Sequence, residues 1–325
     1  IYANDLDCMA SDSMKQIPSI SLRELKTNNS ETIESLADAC RYWGFFRLVE
    51  LDLEKGVTDK LLAAMKVFFE LPHEEKKQLS RTEKNSWGYF DKELTKNKQD
   101  WKEIFDLSVD QTGPHDQSQT PWPEKLPAFR DTMLQWHHLC ETLSLTLLES
   151  IMQSLRLPET SLAQHFTHDN SSFLRLNHYP VCEAPAAPEE DFPTEGHLGI
   201  YHHTDAGAVT VLLQDEVSGL QVRHNDTWTT ITNENDSLII NVGDLVQVWS
   251  NDRYKAPLHR VLANRQQDRF SAAFFMNPGF STHCVPQTND RPLYRPVNWG
   301  EFRSARSAGD YANIGDEIQI SDYRI

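Results

Sequence analysis

From Ser172 to Pro278 the chain breaks into short runs rich in Val, Ile, Leu, Phe and Thr: SFLRLNHYP, AVTVLLQD, GLQVRH, TWTTIT, SLIINVG, VQVWSN, HRVLAN and FSAAFFMNP. Runs this short, β-branched and aromatic in make-up and closed by Gly, Asn, Asp or Pro, read as strands. So many in succession point to an all-β sandwich or jelly roll, in which each strand buries one face against a second sheet. HNDT between two runs reads as a hairpin turn, and VGD at 242–244 as another.

The first half is different in character. NNSETIESLADACRYWG places Ile33, Leu36, Ala37 and Cys40 at helical spacing, with Asn29 or Ser30 able to cap the helix and Gly44 to end it. FFRLVEL then reads as a strand, and VTDKLLAAMKVFFEL as a helix with Leu61, Met65 and Phe68 on one face, stopped before Pro72. The next stretch, to about residue 122, is polar and irregular. Between Pro127 and Leu157 one stripe of Phe129, Met133, Trp136, Cys140, Leu143, Leu147 and Ile151 predicts a long amphipathic helix that packs against a sheet. The organisation expected is a mixed α/β region over 1–122, the long helix and β core over 123–297, and a tail over 298–325 able to act as a lid.

Charge and cysteines narrow the partners. With 31 basic and 48 acidic residues the net charge is −17, which argues against nucleic acid and against an anionic membrane surface. The most apolar long stretch, LSLTLLESIMQSL, is broken by Glu149 and Gln153 and does not read as a membrane span. Cys8, Cys40, Cys140, Cys182 and Cys284 lie far apart with no C-x-x-C pair, which suits free thiols in a reducing compartment. IYANDLDCMASDSMKQ has neither the basic nor the apolar region of a secretory leader. A cytoplasmic, monomeric protein is expected.

HHTDAGA, residues 202–208, sits at the edge of a strand-like run. Alternation along a strand sends His203 and Asp205 to one side and Thr204 to the other, and His202 away from the pair. His203 and Asp205 then form a chelating pair that needs a third ligand, and His259 in YKAPLHRV can supply it. Two neutral imidazoles and a carboxylate on one face of a metal leave the opposite positions open, which suits ferrous iron; zinc accepts similar ligands, but the chain has no H-E-x-x-H helix or cysteine cluster. Beyond His259, DRFSAAFF places Arg269 and Ser271 on one strand face, a guanidinium and a hydroxyl suited to clamping a carboxylate.

In that order, H-x-D, a distal His and R-x-S resemble the iron(II)- and 2-oxoglutarate-dependent dioxygenases, in the branch of the plant flavonoid and gibberellin oxidases and isopenicillin N synthase. The likeness extends to IPSISL, ACRYWGFFRLVE, FFELPHEEKKQL, RLNHYPVC, HHTDAGAVTVLLQDEVSGLQV, LIINVGDLVQVWSNDRYKAPLHRV and RFSAAFFMNP, and so covers most of the chain. The resemblance implies a double-stranded β-helix (jelly roll) core, buttressed by helices that include the long one. By the same resemblance His203, Asp205 and His259 hold Fe(II), and Arg269 with Ser271 binds the distal carboxylate of 2-oxoglutarate. Tyr179 and Asn177 match positions near that co-substrate. The implied reaction consumes O2 and 2-oxoglutarate, with ascorbate as accompanying reductant, and oxidises a small molecule by hydroxylation, desaturation or ring closure, releasing succinate and CO2. Isopenicillin N synthase and aminocyclopropane-carboxylate oxidase show the alternative, an iron oxidase that does not use 2-oxoglutarate. A metal-stabilised jelly-roll binding protein is the non-enzyme alternative.

Trp87 and Tyr89 in NSWGYFDKE, and Trp101 and Lys102 in DWKEIFDL, fall where the family builds its substrate wall; Leu220 and Phe275 are further candidates. Arg175 and Lys102 are extra cations that favour a small acid. Between Tyr179 and His203 the chain is longer than the usual plant connection, and the excess is an acidic, Pro-rich loop, EAPAAPEEDFPTEG, expected to form part of the pocket mouth. His202 is expected to be no metal ligand.

Overall fold

Twelve strands carry the architecture: β1 (Ser19–Ser21), β2 (Phe45–Val49), β3 (Gly88–Phe90), β4 (Glu103–Leu107), β5 (Phe173–Tyr179), β6 (Leu198–His203), β7 (Val209–Gln214), β8 (Leu220–His224), β9 (Thr227–Thr230), β10 (Leu238–Val242), β11 (His259–Leu262) and β12 (Arg269–Met276). The structure is a computed structural model and describes residues 16–109, 119–166 and 170–325; Cys8 and most of the segment weighed above as a leader lie outside them. In space the larger sheet runs β1-β2-β10-β7-β12-β5-β4-β3 and the smaller β9-β8-β11-β6.

Alternation along the strands decides which side chains meet. On β12, Phe270, Ala272, Phe274 and Met276 join the main core on the helical side of the large sheet. Arg269, Ser271, Ala273 and Phe275 face the other way, into a cavity between the sheets. The same period on β5 sends Leu174 and Leu176 to the core and Arg175, Asn177 and Tyr179 to the cavity, and on β7 sends Val211 and Leu213 outward and Thr210 and Leu212 inward. Phe45, Ile239 and Tyr179 of the large sheet pack with Leu220, Val222 and Val261 of the small one, so the two sheets face each other as a jelly roll requires.

The helix α1 (Ser30–Tyr42) is capped by the Asn29 side chain, which accepts from Thr32 N, and Gly44 follows its end with φ 65°. With α2 (Val57–Phe69) it packs on the long helix α3 (Pro127–Ser154), which carries Pro at its start and lies against β7 and β12. Phe129, Met133, Trp136, Cys140, Leu143, Leu147 and Ile151 are all buried on it. Each such side chain contributes about 1.5–3 kcal/mol of burial, so this seam ties the N-terminal helices to the sheet. HNDT is the β8–β9 turn, with Asn225 and Asp226 at φ 47° and 57°.

Three segments differ from expectation. VQVWSN lies in a helix, α4 (Asp244–Trp249), not a strand. A short run buried all round has no face preference, so its period cannot separate helix from strand; here the Asp244 and Leu245 amides bond the carbonyls of Asp205 and Gly207 and turn the chain. The irregular stretch before residue 122 contains β3 and β4, which extend the large sheet. Within the tail, Trp299–Tyr311 is a helix, α5, capped by the Asn298 side chain accepting from Glu301 N.

Candidate active site

β6 ends at His203 and β11 begins at His259, and the two residues are register partners with ring centroids 4.3 Å apart. Asp205 lies just past the strand, in a turn that α4 braces through its backbone. At Gly243 a Cβ would come within 2.3 Å of the Gly207 carbonyl oxygen and 2.9 Å of that of Asp205, so glycine is what lets α4 approach the turn. His203 Nδ1 donates to the Tyr201 carbonyl at 2.8 Å and His259 Nδ1 to that of Pro257 at 3.0 Å. Those bonds fix the tautomers and turn both Nε2 atoms to within 3.6 Å of Asp205 Oδ1.

The other carboxylate oxygen, Asp205 Oδ2, accepts from Thr210 Oγ1 at 2.5 Å and from Asn241 Nδ2 at 2.8 Å. Burial would raise this carboxyl, but the imidazoles of His259 and His203 and the Asn241 amide outweigh it and hold it well below the usual carboxylate range. Burial, reinforced by His203, pushes the His259 imidazole down to about 4, so it is neutral at physiological pH. Nε2, Nε2 and Oδ1 therefore converge, with ligand atoms of the three residues within 4.8 Å of one another. Two imidazole nitrogens and one carboxylate oxygen fit a divalent transition metal.

Next along the cavity, Arg269 is the register partner of Tyr179, and Ser271 of Asn177. The Arg269 guanidinium, 1% exposed, donates Nε to the Val217 carbonyl at 3.1 Å and Nη2 to Gln214 Oε1 at 3.0 Å, and lies 4.8 Å from the centre of the Tyr179 ring. Among the described residues its Nη1 is buried without a hydrogen-bond partner, as is Asn177 Oδ1. Asn177 Nδ2 lies 3.4 Å from Ser271 Oγ. A buried cationic donor left unmet costs about 1–3 kcal/mol, and a carboxylate seated between Arg269 and Ser271 would remove that cost.

The cavity, of about 160 Å3, is shared by His203, Asp205, His259, Asn177, Tyr179, Arg269 and Ser271 and by Leu220 and Phe275. Lys102 and Arg175 also line it, yet neither is a spare cation. Arg175 is bidentate on Asp106, at 2.9 Å from Nε and 2.9 Å from Nη2, and donates Nη1 to Glu93 at 2.9 Å. Lys102 Nζ is 2.6 Å from Glu93 and 3.4 Å from Asp100. Burial opposes it, but Arg175 and Lys102 draw the Glu93 carboxyl down to about 2.

Trp87 and Tyr89 do not reach the wall. Trp87 lies behind Phe173, 6.0 Å between ring centres, and the buried Tyr89 hydroxyl donates to Glu103. Trp101 donates Nε1 to the Pro180 carbonyl. The Pro-rich loop, expected at the pocket mouth, contributes no residue to it. It covers the outer face of the small sheet instead: Arg260 Nη1 donates to the carbonyls of Glu190 and Asp191, and its Nη2 to that of Pro188. His202 points to this side, edge-on to Phe192 at 4.6 Å. What sequence reasoning missed is α5, which brings Trp299, Arg303, Arg306 and Asp310 to the wall, followed by Glu317. Their spacing is helical, but nothing in the segment signals which face turns inward.

Residues 170–278 match the family model of the 2OG-Fe(II) oxygenase superfamily, and residues 17–128 the model of the N-terminal region of non-haem dioxygenases in morphine synthesis. Jasmonate-induced oxygenase 4 of Arabidopsis thaliana is 32% identical over 304 residues, 90% of this chain and 83% of the relative. A bi-functional coumaroyl CoA and feruloyl CoA ortho-hydroxylase, Diox4 of Ruta graveolens, is 32% identical over 85% of this chain and 75% of its own. The crystal structure of JOX2 in complex with 2OG, Fe, and JA superposes with a TM-score of 0.80 at 28% identity, covering 95% of this chain and 89% of that one. No helix among the described residues is long and apolar enough to cross a membrane. With the jelly-roll core, the His-Asp-His donor set and relatives matched along almost its whole length, this chain belongs to the 2OG-Fe(II) oxygenase superfamily and is a non-haem iron enzyme that uses 2-oxoglutarate.

Proposed function

We propose that His203, Asp205 and His259 hold the iron, that Arg269 and Ser271 seat the distal carboxylate of 2-oxoglutarate with Tyr179 and Asn177 beside it, and that the rest of the cavity holds the organic substrate. The observation that carries this reading is a pair of groups on one cavity: Asp205 Oδ1, held toward the Nε2 atoms of His203 and His259 because Thr210 and Asn241 bond its partner oxygen, and the Nη1 of Arg269, which has no hydrogen-bond partner among the described residues. When bound, iron supplies the activation of O2 that couples decarboxylation of 2-oxoglutarate to oxidation of a C–H bond.

The protein's own part is placement. Asp205 sets one negative charge against the cation, and His203 and His259 each offer it an Nε2 nitrogen. Arg269, held from behind by Gln214 and the Val217 carbonyl, offers a fixed donor that needs no rearrangement to meet the co-substrate. Leu212, Leu220, Val261 and Ala273 exclude water around that end. Hydroxylation, desaturation and ring closure share this arrangement, which differs only in the bond presented. Every proposed ligand comes from one chain, and Cys40, Cys140, Cys182 and Cys284 are buried free thiols, which supports a monomer working in a reducing, cytoplasmic setting.

Arg269→Gln tests the assignment. It removes a charge-assisted seat of about 1.5–3 kcal/mol, so the Kd for 2-oxoglutarate, measured calorimetrically on Mn(II)-loaded protein, rises about 10- to 100-fold while Mn(II) affinity is kept. Succinate formation with Fe(II) and O2 then needs correspondingly more co-substrate. Unchanged 2-oxoglutarate affinity would refute the seat.

A further inference from the structure

We propose that Arg303 anchors a carboxylate of the organic substrate, so that this enzyme acts on a small monocarboxylic acid with an apolar body. The inference rests on the cavity being the active site. It comes from accounting for each cation on the wall. Arg175 and Lys102 are saturated by Asp106, Glu93 and Asp100. Arg306 donates to the Thr204 carbonyl at 2.9 Å, the Ile318 carbonyl at 3.3 Å and Gln319 Oε1 at 3.0 Å, with Glu317 at 3.4 Å. Arg269 faces the co-substrate end.

Arg303 is held differently. Among the described residues the one hydrogen bond of its guanidinium runs from Nη1 to Ser307 Oγ at 3.0 Å, within its own helix. Asp310 stands 3.9 Å from Nη1, beyond hydrogen-bonding distance. The side chain is 25% exposed and lines the cavity, leaving Nε and Nη2 without a protein partner. Burial and the neighbouring Glu93 carboxylate push the Asp310 carboxyl up, against the pull of Arg303, Arg175 and Arg81. At 3.9 Å and without a hydrogen bond, Asp310 is a loose partner, beside which an anion can reach the remaining donors of the fork.

Two further features define the ligand. The guanidinium lies 5.6 Å from the centre of the Phe173 ring, and that ring stacks on Phe275 at 4.9 Å and 27°. A planar fork beside an aromatic floor matches a carboxylate on a flat or alkyl body, with two parallel N–H···O bonds to the anion and apolar contact for the remainder. Asp310 stands 3.9 Å from the fork, and Glu93 and Glu317 lie on the same wall. They limit the negative charge the subsite tolerates, which favours one carboxylate over a phosphate or a dicarboxylate.

The test uses the whole chain loaded with Mn(II) and 2-oxoglutarate without O2, and a matched panel: 3-phenylpropanoate, cinnamate and octanoate, their primary amides, and 3-phenylpropylamine. Binding is read by calorimetry and by the shift in melting temperature. At least one acid binds the native protein ten-fold or more tighter than its amide. Arg303→Gln brings that ratio close to one, and Arg303→Lys keeps part of it. 2-Oxoglutarate affinity and the melting temperature of the ligand-free protein report that each variant is folded. Amides or the amine binding as well as the acids, no acid binding at all, or an acid-to-amide ratio that survives Arg303→Gln in folded protein would each overturn the proposal. If 2-oxoglutarate itself fails to bind the native protein, the co-substrate assignment falls instead.

Discussion

Asn241 touches no ligand in the proposed chemistry, yet its replacement should weaken the metal site by one to two orders of magnitude. Its Nδ2 donates to Asp205 Oδ2 at 2.8 Å, and with the Thr210 hydroxyl at 2.5 Å it occupies that oxygen completely. The consequence is rotational: with Oδ2 tied, Oδ1 stays 3.6 Å from the Nε2 of both His203 and His259. Asn241→Leu keeps the branched heavy-atom skeleton of a side chain that is 2% exposed and removes one hydrogen bond to a charged acceptor, about 1.5–3 kcal/mol. At 1.36 kcal/mol per decade that is roughly 10- to 100-fold, the range usual for partners that orient metal-ligating side chains.

The assay is a titration of the variant with Co(II), followed by visible absorption, beside native protein and Thr210→Val. Both variants should show a raised Kd for the metal, with Thr210→Val acting through the same oxygen and in the same direction. The Asn241 amide also helps keep the Asp205 carboxyl low, so the pH at which metal binding is half lost moves upward in Asn241→Leu. A metal Kd within two-fold of native in a folded Asn241→Leu protein would refute the idea that Asp205 is poised by its outer hydrogen bonds.

Two further outcomes concern groups outside the cavity. His137 is 1% exposed, edge-on to Phe274 at 4.9 Å, and burial, with His138 nearby, lowers its imidazole from 6.5 to about 4. The unfolded chain takes up this proton near pH 6.5 and the folded one only near 4, so stability present above 6.5 is lost as pH falls through that window, by up to about 3 kcal/mol. Urea unfolding of His137→Leu at pH 7 and pH 5 should show a smaller loss than the native chain; an identical loss would exclude His137 as its source. Arg260 is fully buried, packs 4.2 Å from the centre of the Trp228 ring and bonds three carbonyls of the Pro-rich loop. Arg260→Gln should cost about 2–4 kcal/mol and expose residues 186–194 to limited proteolysis, without changing which acids bind the cavity. Native-like protease resistance would contradict the role of Arg260 as the loop's strap.

Much of this molecule was legible because strand alternation and helical period act locally. The period of two on β5 and β12 that buries Leu174, Leu176, Phe270 and Phe274 in the main core forces Asn177, Tyr179, Arg269 and Ser271 onto the opposite face. Anyone who reads the strands from the apolar pattern has therefore placed the proposed co-substrate residues as well. His203 and Asp205 were legible for a weaker reason. The strand ends at His203, so alternation does not by itself align Asp205; the α4 backbone and the Thr210 and Asn241 bonds do.

What stayed hidden was pairing across sequence distance. In the sequence nothing ranks Arg175, Lys102 and Arg303 as cations free to hold a substrate. The fold brings Glu93 and Asp106 onto Arg175 and Glu93 onto Lys102, while Arg303, on a helix that the apolar pattern of the tail does not announce, has among the described residues one carboxylate partner, Asp310 at 3.9 Å. The charges first suspected of holding a substrate are thus neutralised by the protein, and the one left open lies in the segment with the weakest sequence signal. The Pro-rich loop inverts in the same way. Its position before the iron strand suggested the mouth of the site, but a strand has two faces, and the loop follows His202 and Arg260 to the outer one, while their neighbours His203 and His259 turn inward. Adjacency in sequence to a ligand on a strand therefore carries no presumption of adjacency to the site: for the residue next door the expectation is the opposite face.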